Sequence, residues 1–164
     1  MLKKWILFLV AAGLLLGAFL WIANDRETDD QARPHFEHSN LVITRADGTS
    51  FTFTAEVANS PVEQAYGLMF VHSMRDDRSM IFPYDPPREV AFWMKNTLIP
   101  LDMLFVSPGG TIGRIAAEAR PQDITPISSQ GDVIAVIEIK GGQAKQDELK
   151  VGDKVESPSI KVAQ

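Results

Sequence analysis

Residues 132–140 read Asp132-Val133-Ile134-Ala135-Val136-Ile137-Glu138-Ile139-Lys140. Apolar residues stand at consecutive positions, so the run has no solvated face, and its β-branched side chains favour extended backbone. This predicts a strand at the centre of a sheet, covered on both sides. Gly141-Gly142 breaks it. Glu138 is the one acid inside the run, and a buried carboxylate is costly unless it is paired. Whether it faces another acid, a cation or water stays open at this level.

Working outward, the flanking sequence supplies partners for such a strand. Leu41–Thr44 and Phe51–Val57 bracket Asp47-Gly48. The second run alternates apolar and polar residues with period two, and Asp-Gly between two such runs signals a hairpin. Shorter extended runs follow at Met80–Phe82, Glu89–Asn96, Leu101–Ser107 and Thr111–Ala116, punctuated by Pro83, Pro86, Pro87, Pro100 and Pro108-Gly109-Gly110. The spacing predicts that Glu89–Asn96 and Leu101–Ser107 pair through the turn at Pro100. Residues 117–131 read as a long loop, and a last strand is expected near 155–162.

Two short helices complete the pattern. Ser60-Pro61-Val62-Glu63 carries a cap, a Pro suited to the first turn and the acid of a capping box. Val62, Ala65, Tyr66, Met69 and Phe70 then form one apolar stripe. Gly67 interrupts it, which predicts the close approach of another backbone. Gln143–Lys150 reads as the second helix. About eight short strands and two short helices give an α+β, mainly β domain, built as a small barrel or as packed sheets.

The chain has 164 residues, a net charge of −5 and no cysteine. Trp5–Ala23 is a run of 19 residues without a charge, preceded by Lys3 and Lys4. It is long enough to cross most of a ~30 Å hydrocarbon core, and the lysines orient it with the N-terminus in the cytoplasm. The expected organisation is a transmembrane anchor or cleaved signal over 1–23, a polar tether over 24–38 and an extracytoplasmic domain over 39–164. The expected location is the cytoplasmic (inner) membrane, single-pass, with the domain on the periplasmic or extracellular side. His35 and His38 sit in the tether and read as solvated.

Beyond residue 23 the chain has 14 Lys and Arg against 21 Asp and Glu. That balance argues against a nucleic-acid partner, which needs surplus positive charge. Without cysteine there are no disulfides, thiol nucleophiles or thiolate metal sites. No dinucleotide, phosphate-loop, zinc-protease or serine-elbow signature is present, so no cofactor is expected.

The densest polar constellation lies in Phe92-Trp93-Met94-Lys95-Asn96-Thr97-Leu98-Ile99-Pro100-Leu101-Asp102. Trp93 offers a stacking face, and Lys95, Asn96, Thr97 and Asp102 offer polar contacts at the mouth of the expected hairpin. Asp102 reads equally as an acceptor for turn amides. If Asp102 and Glu138 face one another, they could act as an acid–base pair in a hydrolase. A third reading is a copper(I) site, since thioethers are soft ligands and His72, Met69, Met74 and Met94 lie close in sequence. Methionine is also a common core filler.

Gly67-Leu68-Met69-Phe70, Ser79-Met80-Ile81-Phe82, the Phe92–Asp102 stretch and Val151-Gly152-Asp153-Lys154-Val155 occur in order. Together they resemble the domain-of-unknown-function 192 family, across about residues 40–157. Ser79 departs from it, standing where the family usually has Gly. The resemblance implies a compact β-rich domain, often behind a signal or anchor and sometimes fused to carbohydrate-active enzymes. It implies no reaction, and it points to Lys95, Asn96, Thr97 and Asp102 only as matched motif positions. The expectation is therefore a membrane-anchored, non-catalytic accessory or ligand-binding domain, with an envelope glycan or envelope protein as partner. A hydrolase using Asp102 and Glu138 is the alternative.

Overall fold

A computed structural model of the chain describes residues 33–162. The expected membrane segment and most of the tether lie outside the described residues. Among the described residues no helix is long and apolar enough to cross a membrane. The account below concerns the unit that begins at Pro34.

Nine strands and two short helices are described: β1 (Glu37–Thr44), β2 (Ser50–Val57), α1 (Pro61–Tyr66), β3 (Arg78–Arg88), β4 (Ala91–Phe92), β5 (Leu101–Val106), β6 (Ile112–Ala119), β7 (Ile127–Ser128), β8 (Val133–Lys140), α2 (Gln143–Gln146) and β9 (Lys154–Glu156). Seven strands form one sheet in the order β6-β5-β8-β3-β2-β1-β9, and β4 pairs with β7 separately. As its apolar run demands, β8 lies inside the sheet, antiparallel to both β3 and β5. The β1–β2 hairpin turns at Gly48, whose φ of 87° suits glycine. Only β2 and β3 run parallel, joined by a crossover that contains α1.

The sheet curls until its edges meet at one end. Thr111 bridges Lys154, the Ile112 amide donates to the Asp153 carbonyl (2.9 Å), and the Val155 amide donates to that of Gly110 (2.8 Å). Leu41, Ile43, Phe53, Ile81, Leu104, Ile137, Ile139 and Val155 fill the inside of this curl. The other face of β3, β8 and β5 carries Met80, Phe82, Val136, Met103 and Phe105, and is covered by Leu68, Met94 and the half-buried Phe92 and Ile99. The seven-stranded sheet is thus a curled half-barrel with a second hydrophobic layer against one side.

Several boundaries differ from the sequence reading. Phe36 is 2 % exposed and Glu37 opens β1, so the domain starts inside the expected tether. Strand β3 continues through Pro83, Pro86 and Pro87. Its pairing with β2 ends at Val57 and Ile81. Beyond that point one edge is free, so the missing proline N–H groups break no ladder there. The hairpin expected between Glu89–Asn96 and Leu101–Ser107 does not form. Only Ala91 and Phe92 are extended, and they pair with β7. The chain then turns, with the Thr97 amide donating to the Met94 carbonyl (3.1 Å) and Asn96 at φ 56°. β5 instead lies between β8 and β6.

Helix α1 has the expected capping box, but it stops at Tyr66. Gly67 ends it at φ 51°, where an added Cβ would lie 3.3 Å from the Phe82 ring. The close backbone approach expected there occurs at Gly141 instead. A Cβ on Gly141 would lie 2.8 Å from the Pro100 carbonyl carbon, and the Gly141 amide donates to the Pro100 carbonyl (2.9 Å). α2 and β9 are also shorter than expected.

Candidate functional site

Registry alone separates the two acids that could have formed a pair. Asp102 pairs with Ile139, whereas Glu138 pairs with Met103 and Met80. Paired residues project to the same face of a sheet and successive ones to opposite faces, so Asp102 and Glu138 leave the sheet on opposite sides. The acid–base arrangement on which the hydrolase alternative rested is therefore not assembled.

Asp102 is fully buried. Its Oδ1 accepts from the amides of Glu118 (2.7 Å) and Gly142 (3.0 Å), and its Oδ2 from that of Ala144 (2.8 Å). One carboxylate thus ties β6 and the start of α2 to β5. Two of its donors have positive φ, 49° at Glu118 and 86° at Gly142. Its place in the motif is explained by satisfied backbone groups that would otherwise be orphaned.

Glu138 has the opposite environment. It is 5 % exposed, and among the described residues it makes no hydrogen bond or ion pair. Its sheet neighbours Met80 and Met103 are fully buried. Burial among them pushes its carboxyl up to about 8.

Glu138 lines a cleft of about 440 Å³ on the outer side of the curl. One wall comes from the end of α1 and its exit, with Gln64, Tyr66 and Gly67. β3 contributes Phe82, Tyr84 and Arg88, and the segment after it contributes Phe92, Trp93, Lys95 and Thr97. Five aromatic side chains stand in its walls. Phe92 meets Phe82 edge-on at 4.9 Å. The Arg88 guanidinium stands 4.7 Å from the centre of the Tyr84 ring, and the Lys95 amine 5.7 Å from that of Trp93. Burial pushes the Tyr84 phenol up to about 12, with Arg88 opposing and Glu138 adding to the effect.

Of the polar motif residues, Trp93, Lys95 and Thr97 line this cleft, with Trp93 53 % exposed. Asn96 and Asp102 do not line it. Asn96 holds the turn instead, its carbonyl accepting from the Phe70 amide (2.9 Å) and its Nδ2 donating to the Met69 sulfur (3.8 Å). Tyr66, Tyr84 and Arg88 belong to the cleft but carried no sequence signal, because the elements bearing them meet only in the fold. Two of the methionines proposed for copper, Met74 and Met94, pack in the core layer. Met94 is fully buried, Met74 is half-buried against the same cluster, Met69 is half-buried and lines the cleft, and His72 is exposed in its loop. Among the described residues no three His, Cys, Asp or Glu side chains group as a metal site.

The sequence profile of the domain-of-unknown-function 192 family, described as an uncharacterized ACR, matches residues 42–157. No curated protein matches the chain. Similar crystal structures include two that follow. One, described as "a putative transcription regulator" from Sinorhizobium meliloti, is 33 % identical, with a TM-score of 0.75 over 77 % of this chain and 98 % of its own. The other, a protein of unknown function from Novosphingobium aromaticivorans, is 40 % identical, with a TM-score of 0.71 over 77 % of this chain and 94 % of its own.

Proposed function

Because the chain belongs to the domain-of-unknown-function 192 family, we propose that it is a ligand-binding domain of that family, working through the cleft between α1, β3 and the Trp93 turn. One observation carries this reading: an open cleft with five aromatic side chains in its lining also holds a buried carboxyl that no side chain among the described residues satisfies. Small-ligand sites are concave and largely apolar, with few polar groups to fix orientation. Trp93 supplies an exposed stacking face, Lys95 and Thr97 flank it, and Glu138 lies among the lining groups. An envelope glycan suits a stacking face of this kind, and that partner class rests on the family's fusions to carbohydrate-active enzymes.

The uncharged run Trp5–Ala23 and the lysines before it support a membrane anchor that holds this domain outside the cytoplasm. A phosphatase reporter fused to the C-terminus tests that placement, since it gains activity only on the outer side. The regulator description of one similar structure is not carried over. Beyond residue 23, 14 basic against 21 acidic residues give no surplus positive charge for DNA.

Amide NMR spectra of the protein, recorded against a panel of small sugars, amines and carboxylic acids, test the cleft. Shifts should gather at 64–69, 88–97 and 138, and Trp93→Ala should abolish them while the melting temperature holds. Shifts confined to the separate groove between Asn40 and Val162 would overturn the assignment.

A further inference from the structure

We propose that Glu138 is a seat for an ammonium group, and that the cleft takes a small ligand carrying a primary amine on a flat or ring-shaped apolar body. This inference rests on the reading of the cleft as a ligand site and names the chemistry of what it binds.

Three observations lead to it. First, Glu138 is 95 % buried by its 5 % exposure, yet it lines the cleft and has no partner among the described residues. A carboxylate in that position lacks the cation that would stabilise it. Second, both cations at the cleft are engaged elsewhere. Arg88 lies over the Tyr84 ring and Lys95 over the Trp93 ring, and neither forms an ion pair with Glu138. Third, the walls suit a cation. The negative face of an aromatic ring attracts ammonium groups, and two rings of this cleft already hold one each. Met80 and Met103 flank Glu138 in the sheet, so an apolar residue would fit the strand there as well as an acid does.

Protonation gives the inference a signature. Burial pushes the Glu138 carboxyl up to about 8, so an ammonium group that binds at neutral pH displaces its proton. Affinity for an amine then follows the ionised fraction and rises at least about tenfold between pH 6 and pH 8. A neutral ligand shows no such rise. Tyr66 from α1, Tyr84 and Arg88 from β3, and Glu89 and Lys95 from the segment after it are the other titratable or charged groups lining the cleft. A variant changed only at Glu138 separates its titration from theirs.

Benzylamine and benzyl alcohol share a ring and differ in the ammonium group, so they serve as probes. Binding is followed by calorimetry and amide shifts on the full-length protein between pH 6 and pH 8. Benzylamine should bind at least tenfold more tightly than the alcohol at pH 8, and its affinity should rise at least tenfold from pH 6. Glu138→Gln should remove both effects. Equal binding of the two probes, sensitive to Trp93→Ala, would overturn the amine class and leave the cleft standing. Amine binding unchanged by Glu138→Gln would overturn the seat. If neither probe binds below ~10 mM, the amine class falls, and it falls together with the site if no compound of the sugar, amine and acid panel shifts the cleft resonances.

Discussion

Glu138 should make the protein less stable as the pH rises. In the unfolded chain its carboxyl loses its proton near the ordinary value of 4.5, whereas in the fold it keeps the proton up to about 8. Between these limits the folded state binds more protons than the unfolded one, so stability falls with increasing pH. Below 4.5 the group is neutral in both states and contributes no difference. Above 8 the whole cost of burying the charge is present. At 1.36 kcal/mol per tenfold, the interval from 4.5 to about 8 corresponds to a ceiling of about 5 kcal/mol. Water entering the open cleft raises the local dielectric and lowers this towards about 2 kcal/mol. Glu138→Gln removes the titration and keeps the volume. Its own burial cost is the same at every pH, so the comparison isolates the carboxyl. Urea unfolding followed by circular dichroism, at pH 4.5, 6 and 8.5, should show the variant gaining on the natural protein by about 2–5 kcal/mol across the series. Other carboxylates change alike in both proteins and cancel, provided they are not coupled to this site. Parallel pH profiles would refute the reasoning, because they would mean that Glu138 has a partner or ionises in the folded state.

Two further substitutions test the opposite and the intermediate case. Asp102→Ala strands three backbone amides, two of them at positive-φ residues, at about 1–3 kcal/mol each. A loss of at least about 3 kcal/mol in urea unfolding is expected, and one below about 1 kcal/mol would mean that water replaces the carboxylate. Ser79 is buried and its Oγ has no hydrogen-bond partner. Ser79→Ala should therefore raise stability by about 1 kcal/mol, read as a higher melting temperature, and a lower one would reveal a partner for the hydroxyl.

Much of the sheet was legible because strands announce themselves locally. The unbroken apolar run of β8 requires cover on two faces, and β8 lies between β3 and β5. The alternation in β2 and the Asp47-Gly48 turn fix the first hairpin, and Ser60 with Glu63 fixes the start of α1. These signals act over a few residues, and the tertiary packing agrees with them. The segment Glu89–Asn96 was misread for a related reason. Its residues are strand-like, but Asn96 takes a left-handed conformation and the Met94 side chain turns into the core, and neither choice is local.

The candidate site divides along the same line. The sequence by itself determined that an acid stands in the middle of a buried strand, that Trp93 and Lys95 share a polar stretch, and that Asp102 belongs to a strong motif. It could not say which face of the sheet each acid occupies, because a one-residue change of register exchanges the faces. Only the pairing of β8 with β3 and β5 decided that. It set Asp102 against three amides on one side and Glu138 on the other, between two methionines, at a cleft whose walls come from α1, β3 and the Trp93 turn. The physical reason is that a carboxyl's chemistry is set by its surroundings, and those surroundings come from parts of the chain distant in sequence.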